Sequence, residues 1–255
     1  MDGGLLAALA DLLLPRTCAG CGLPGALLCR RCARLLTVPH LAQPRRFPVG
    51  FPPTVAAGAY AGPVRPAVNA FKERGRAELA RPLGAALALA VAGVVAGLDG
   101  GCREVRLVPV PSSRAALRVR GRDHVRELTG RAVAELRAAG VPAAPARLLR
   151  RTGRVRDSAG LSADQRRANL AGTFALVPGA AAVGRDGVLV LVDDVVTSGA
   201  TLTEAAAALA PAAVHAGPPV LAAVVAATPR RVPLTGPGAD RRGQQGRLSG
   251  PGNGD

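Results

Sequence analysis

The chain has 255 residues, 49% of them apolar, only 2% aromatic, and a formal net charge of +16. This length allows one sizeable α/β domain with a small appendage. The scarcity of aromatic side chains argues against a surface that binds nucleic acid by stacking bases, and the charge favours polyanions or phosphorylated ligands as partners. Arginine supplies almost all of that charge, and Lys72 is the only lysine. Ala, Arg, Gly and Pro are abundant enough that the propensity of any single Ala or Arg carries little information, and Ala, Val and Leu must fill the core.

In chain order, Leu5 to Leu14 reads as a short amphipathic helix ended by Pro15. It lacks a basic leading segment and contains Asp11, with Asp2 before it, so it does not read as an export signal. The cytoplasm is therefore the expected compartment, where thiols stay reduced. Cysteines fall between Cys18 and Cys32, and a Pro-rich connector runs from Pro39 to Pro53. A first strand is expected at VAAGAY from Val55, a helix from Pro63 to about Arg74, and a long apolar helix from Leu79 to Leu98. The apolar run in that helix, Leu83 to Leu98, is shorter than the ~20 residues that span a bilayer, so it is expected to be buried in protein.

Val105 to Val110 is a β-branched run closed by Pro111 and reads as a buried strand. A helix is expected from Arg122 to Ala139, ended near Gly140, and a short strand at Arg147 to Leu149. Arg150 to Asn169 reads as an Arg-rich mobile loop. Strands at Thr173 to Val177 and Val188 to Val192, a helix at Ala200 to Ala210 and a strand at Val220 to Ala227 complete the pattern. Alternating strands and helices predict a parallel sheet covered on both faces. After Pro229 the residues are Gly, Arg, Pro and Gln without periodicity, and a disordered basic tail is expected. The expected divisions are 1–45, 46–228 and 229–255.

The segment LVLVDDVVTSGATL, Leu189 to Leu202, carries the strongest chemical signal. An apolar strand ends in Asp193 and Asp194, and Thr197, Ser198, Gly199, Ala200 and Thr201 lead into a helix. Ligands of open α/β sheets bind beyond the carboxyl ends of the strands. A helix N-terminus there offers backbone N–H groups and partial positive charge, and small residues let a phosphate come close. Two adjacent carboxylates can accept hydrogen bonds from a vicinal diol. A phosphate cradle beside a diol clamp describes a ribose 5-phosphate site.

Two Cys-x-x-Cys pairs, Cys18 with Cys21 and Cys29 with Cys32, are separated by seven residues. Four thiolates at this spacing match tetrahedral Zn²⁺, which would supply folding energy to a segment too small for its own core. The alternatives are disulfide pairing, which needs an oxidising compartment, and a redox motif, which would not come in two copies. Cys102 stands apart, and His40, His124 and His215 share no metal motif.

The Asp-Asp turn resembles the signature of type I phosphoribosyltransferases. Together with the cysteine module, and with YAGPVRPAVNAFKERGR from Tyr60, the chain resembles the ComF family over most of Leu12 to Thr228. The resemblance implies a parallel sheet flanked by helices and a zinc-binding N-terminal module. It implies that Asp193 and Asp194 carry catalysis by holding the ribose hydroxyls of phosphoribosyl pyrophosphate (PRPP), with Mg²⁺ accompanying it. Val195 and Thr197 to Thr201 would complete that binding turn. LVPVPSSRAALRVRGRDHV, Leu107 to Val125, resembles the stretch that carries the pyrophosphate loop, which implies PRPP contacts from Ser112, Ser113 and Arg114. Arg120-Gly121 matches the family, but Arg122-Asp123-His124 stands where Phe-Asn-Gln is usual. The expected activity is displacement of pyrophosphate from PRPP by an acceptor that the sequence does not name. The alternative is a PRPP-regulated or DNA-binding accessory protein of DNA uptake, with single-stranded DNA or a helicase as partner. No membrane span is expected.

Overall fold

The computed structural model describes residues 16–44, 48–98, 104–152, 172–178, 187–213 and 220–230. The expected Leu5 to Leu14 helix, most of the Arg-rich loop, Cys102, His215 and nearly all of the tail lie outside the described residues. The elements are α1 (Arg30–Arg34), β1 (His40–Leu41), β2 (Thr54–Ala59), α2 (Val64–Lys72), α3 (Ala80–Val95), β3 (Glu104–Pro109), α4 (Arg114–Arg120), α5 (His124–Ala138), β4 (Ala143–Pro145), β5 (Leu149–Arg151), β6 (Phe174–Leu176), β7 (Gly187–Val196), α6 (Ala200–Leu209) and β8 (Leu221–Ala227).

Six strands form one sheet in the order β1-β2-β8-β7-β3-β4. Every pairing is parallel except the two-residue β1, which runs antiparallel to β2 at the edge. In β7, Val188, Val190 and Val192 point into a core shared with α2, α3 and α5. The alternate residues Leu189 and Leu191 point to the other face, into a core shared with α6 and the β5–β6 pair. Burial on both faces explains why β7 and β8 read as continuous apolar runs. The expected mostly parallel α/β sheet flanked by helices is therefore present.

The stretch Ala77–Val95, which includes α3, is long and apolar enough to cross a membrane by composition alone. Leu83, Leu87 and Val91 on it are fully buried in the sheet's core, as the sequence reading expected. Four details differ from that reading. A short helix, α4, follows the β3 turn. It buries no residue, so no amphipathic period betrays it; Ser113 caps it by accepting the Ala116 N–H, and Gly121 ends it at φ 67°. β4 was not expected, because AAP has little strand propensity and is extended by pairing with the edge of β3. The strand expected at Arg147 to Leu149 lies instead at Leu149–Arg151, where its antiparallel partner Phe174–Leu176 fixes it. β7 continues past Val192 to Val196, so both aspartates sit within its last turn of pairing rather than beyond it.

Candidate functional site

At the carboxyl end of the sheet, β3 and β7 meet α2 and α5 around a cleft of about 440 Å³. Ser112, Ser113, Asp193, Asp194, Val195, Thr197 and Thr201 line it. Gly199 and Ala200 are buried behind the turn, Ser198 is exposed, and Arg114 is the exposed first residue of α4. The fold thus gathers the β3 turn and the β7 turn into one cleft.

Gly199 adopts φ 79° and forms the N-cap position of α6. The left-handed backbone favours glycine, and space demands it as well. A Cβ there would lie 2.8 Å from the Phe51 ring and 3.3 Å from Pro44. The connector before β2 therefore seals the back of the turn while Thr197 and Thr201 face the cleft. The Thr203 hydroxyl donates to the Gly199 carbonyl at 3.0 Å and secures the first turn of the helix.

The two aspartates have different surroundings. Asp193 is half-buried, and its Oδ1 accepts the Asp194 N–H at 2.8 Å. Asp194 is 2% exposed and its Oδ1 accepts the Val195 N–H at 2.8 Å. Its Oδ2 receives both Lys72 Nζ at 2.9 Å and His124 Nε2 at 3.0 Å. Burial would raise the Asp194 carboxyl, but the His124 hydrogen bond and the Lys72 ammonium outweigh it and hold it well below the usual carboxylate range. Asp193 moves the other way. Burial, and then the charge of Asp194, push it up to about 8.

Lys72 ends α2 and His124 begins α5, so two helices converge on the end of β7. Burial opposes the Lys72 charge, but Asp194 and then Asp193 hold the ammonium above its ordinary value. The His124 ring stands edge-on to Phe71, with centroids 6.2 Å apart, and Arg122 lies 4.2 Å over the Phe71 ring. His124 meets Asp194 through Nε2, and its buried Nδ1 has no hydrogen-bond partner among the described residues. Tyr60 donates to Asn69 Oδ1 at 2.7 Å on the same wall, and Arg120 forms a two-point ion pair with Glu73 at 2.8 and 3.0 Å. Arg151 also lines the cleft, its guanidinium 5.2 Å over Phe174.

Sequence reasoning did not find His124 as a partner of Asp194, nor Tyr60, Asn69, Glu73 and Arg151 as cleft residues. His124 lies 70 positions from Asp194, and no local spacing announces the pair. The solitary Lys72 in an arginine-rich chain was the one signal available.

The four cysteines form a second centre. The sulfurs of Cys18, Cys21, Cys29 and Cys32 all lie within 4.8 Å of one another, and Cys21 and Cys29 are 3.7 Å apart. Tetrahedral zinc with Zn–S of about 2.3 Å places its sulfurs about 3.8 Å apart, so the donor set and spacing fit such an ion. Burial pushes the Cys18 thiol up, but the N–H groups of Cys29, Cys21 and Gly20 outweigh it and hold it at about 6. Burial and the neighbouring sulfurs raise Cys32. A cation among them would reverse that repulsion. Gly20 packs the module on the domain: a Cβ there would lie 2.8 Å from the Pro63 carbonyl oxygen at the start of α2.

No family model matches this chain, and no curated protein is significantly similar to it.

Proposed function

We propose that this chain binds PRPP in the cleft at the end of β7 and acts as a phosphoribosyltransferase of the type I kind, with a structural zinc module of the ComF sort. The observation that carries this reading is the junction of an aspartate pair with the N-terminal turn of α6, in one cleft with the Ser112–Ser113 turn. The 5-phosphate would sit on residues 197–201, where Thr197 and Thr201 line the cleft and a helix N-terminus offers N–H groups. Asp193, facing the cleft, would accept from a ribose hydroxyl. Ser112 and Ser113 would donate to the diphosphate.

The reaction would be a displacement at C1 of the ribose. The acceptor's lone pair forms the new bond to C1 as the C1–O bond to pyrophosphate breaks, and the leaving group carries the electron pair away. Charge builds on pyrophosphate and on the sugar as an oxocarbenium-like state, so fixed donors and cations lower the barrier without a covalent intermediate. Mg²⁺, when bound with PRPP, would neutralise part of the diphosphate charge. Arg151 and Arg120 line the same cleft and add positive charge there.

The test is thermal unfolding with PRPP and Mg²⁺. Wild type is expected to melt several degrees higher with saturating ligand, because ligand at ~100 Kd adds about 2.7 kcal/mol. The Asp193→Asn, Asp194→Asn double variant is expected to show no shift. Wild type without a shift would remove this reading. A pyrophosphate-release screen over bases and amines then identifies the acceptor.

A further inference from the structure

We propose that Lys72 is a ligand-binding residue of this cleft, seated by Asp194 and His124 to take the diphosphate of the ligand. Asp194 then serves as its counter-ion rather than as a second acceptor for ribose hydroxyls. This inference rests on the reading of the cleft as a PRPP site and assigns different tasks to its two aspartates.

The geometry carries it. A carboxylate has about four lone-pair directions. Three of those of Asp194 are spent on protein donors: the Val195 N–H at 2.8 Å, Lys72 at 2.9 Å and His124 at 3.0 Å. The Asp194 side chain is 3% exposed, whereas that of Lys72 is 28% exposed and lines the cleft. One of the three ammonium N–H bonds serves Asp194, and among the described residues the others remain for a ligand. A lysine at a helix C-terminus ordinarily turns to solvent or to the last carbonyls. Lys72 instead turns inward onto a carboxylate oxygen that a buried histidine also holds.

Its neighbours point to the diphosphate end of a ligand. Glu73, the next residue, anchors Arg120 at two points, and Arg120, Ser112 and Ser113 line the same cleft. Two cations, each fixed by its own carboxylate, therefore stand with two hydroxyls where a leaving diphosphate would need them. An anchored ammonium costs little reorganisation on binding.

The test is calorimetric titration in Mg²⁺ buffer of PRPP, inorganic pyrophosphate and ribose 5-phosphate into wild type, Lys72→Met, Asp194→Asn and the double variant. Loss of one charge-assisted contact predicts that Lys72→Met weakens PRPP and pyrophosphate by about 30-fold and ribose 5-phosphate by less than about threefold. Asp194→Asn is expected to match it. The double variant is expected to be no worse than either single, because the two residues act as one unit. Additive losses, or equal loss for ribose 5-phosphate, overturn the assignment. Should Asp194→Asn fail to fold, the contrast between Lys72→Met and Lys72→Arg on pyrophosphate decides: recovery by arginine supports a cation contact, and unchanged affinity in Lys72→Met refutes it. Wild type that binds pyrophosphate through Lys72 but not PRPP would remove the phosphoribosyl reading alone. Wild type that binds PRPP equally well as Lys72→Met would remove this inference alone.

Discussion

Asp193 and Asp194 are adjacent in sequence and cannot both ionise cheaply in the same buried place. The Lys72 ammonium and His124 settle which one does, since both contact Asp194. Asp193 is left with a carboxyl pushed up to about 8 by burial and by its neighbour. A carboxyl raised above its unfolded value contributes stability that is fully present at low pH and is lost as pH rises through the folded value. Wild type should therefore lose stability between about pH 4 and pH 8 from this group. Asp193→Asn keeps an oxygen for the Asp194 N–H and carries no charge. Its thermal midpoint is expected to exceed that of wild type by at least about 3 °C at pH 9, the effect of about 1 kcal/mol in a domain of this size. The gap should close toward pH 4. Melts across that range check this, and an unchanged gap would contradict the assignment. Asp194 has the opposite sign: its contribution is present at neutral pH and is lost only as strong acid protonates it.

At the scale of elements, the turn from β7 into α6 depends on a segment far from it in sequence. Phe51 and Pro44, from the connector before β2, pack against Gly199. Gly199→Ala would force an L side chain into a left-handed backbone and press a Cβ against the Phe51 ring. A loss of roughly 2 kcal/mol or more is expected, with phosphate-containing ligands bound more weakly, measured by denaturant unfolding and titration. Phe51→Ala tests the same contact from the other side. It leaves the turn's own sequence intact but removes its support, so weaker binding of ribose 5-phosphate is expected with no change in the residues that touch it.

For the whole molecule, the cysteine module and the cleft share α2. Gly20 abuts Pro63 where α2 begins, Arg76 donates to the Thr17 carbonyl at 3.1 Å, and Leu36 lies in the same core as Val68 and Phe71. The other end of that helix carries Lys72. Zinc in the module would therefore stiffen the wall of the cleft as well as the module. Cys18→Ser is expected to abolish stoichiometric zinc by metal analysis. It should also lower the thermal midpoint by at least about 5 °C, since structural zinc supplies folding free energy. Near-stoichiometric zinc in that variant would remove the four-cysteine site.

The sequence by itself determined what depends on neighbours along the chain. Apolar runs placed β3, β7 and β8, and their alternation with helical segments implied a parallel sheet covered on both faces. The fixed spacing of Cys18, Cys21, Cys29 and Cys32 announced a cluster, because two intervening residues let each pair turn both sulfurs to one point. The run from Leu189 to Leu202 announced a strand, an acidic pair and a small-residue helix start. Only the tertiary structure decided which aspartate is tied down and which is the more exposed, because Lys72 and His124 come from two other helices. It also decided the place of β4 and β5, since paired partners rather than local propensity make those segments extended. Packing brings distant groups within hydrogen-bond reach, and at that range burial and charge, not sequence spacing, set what each side chain can do.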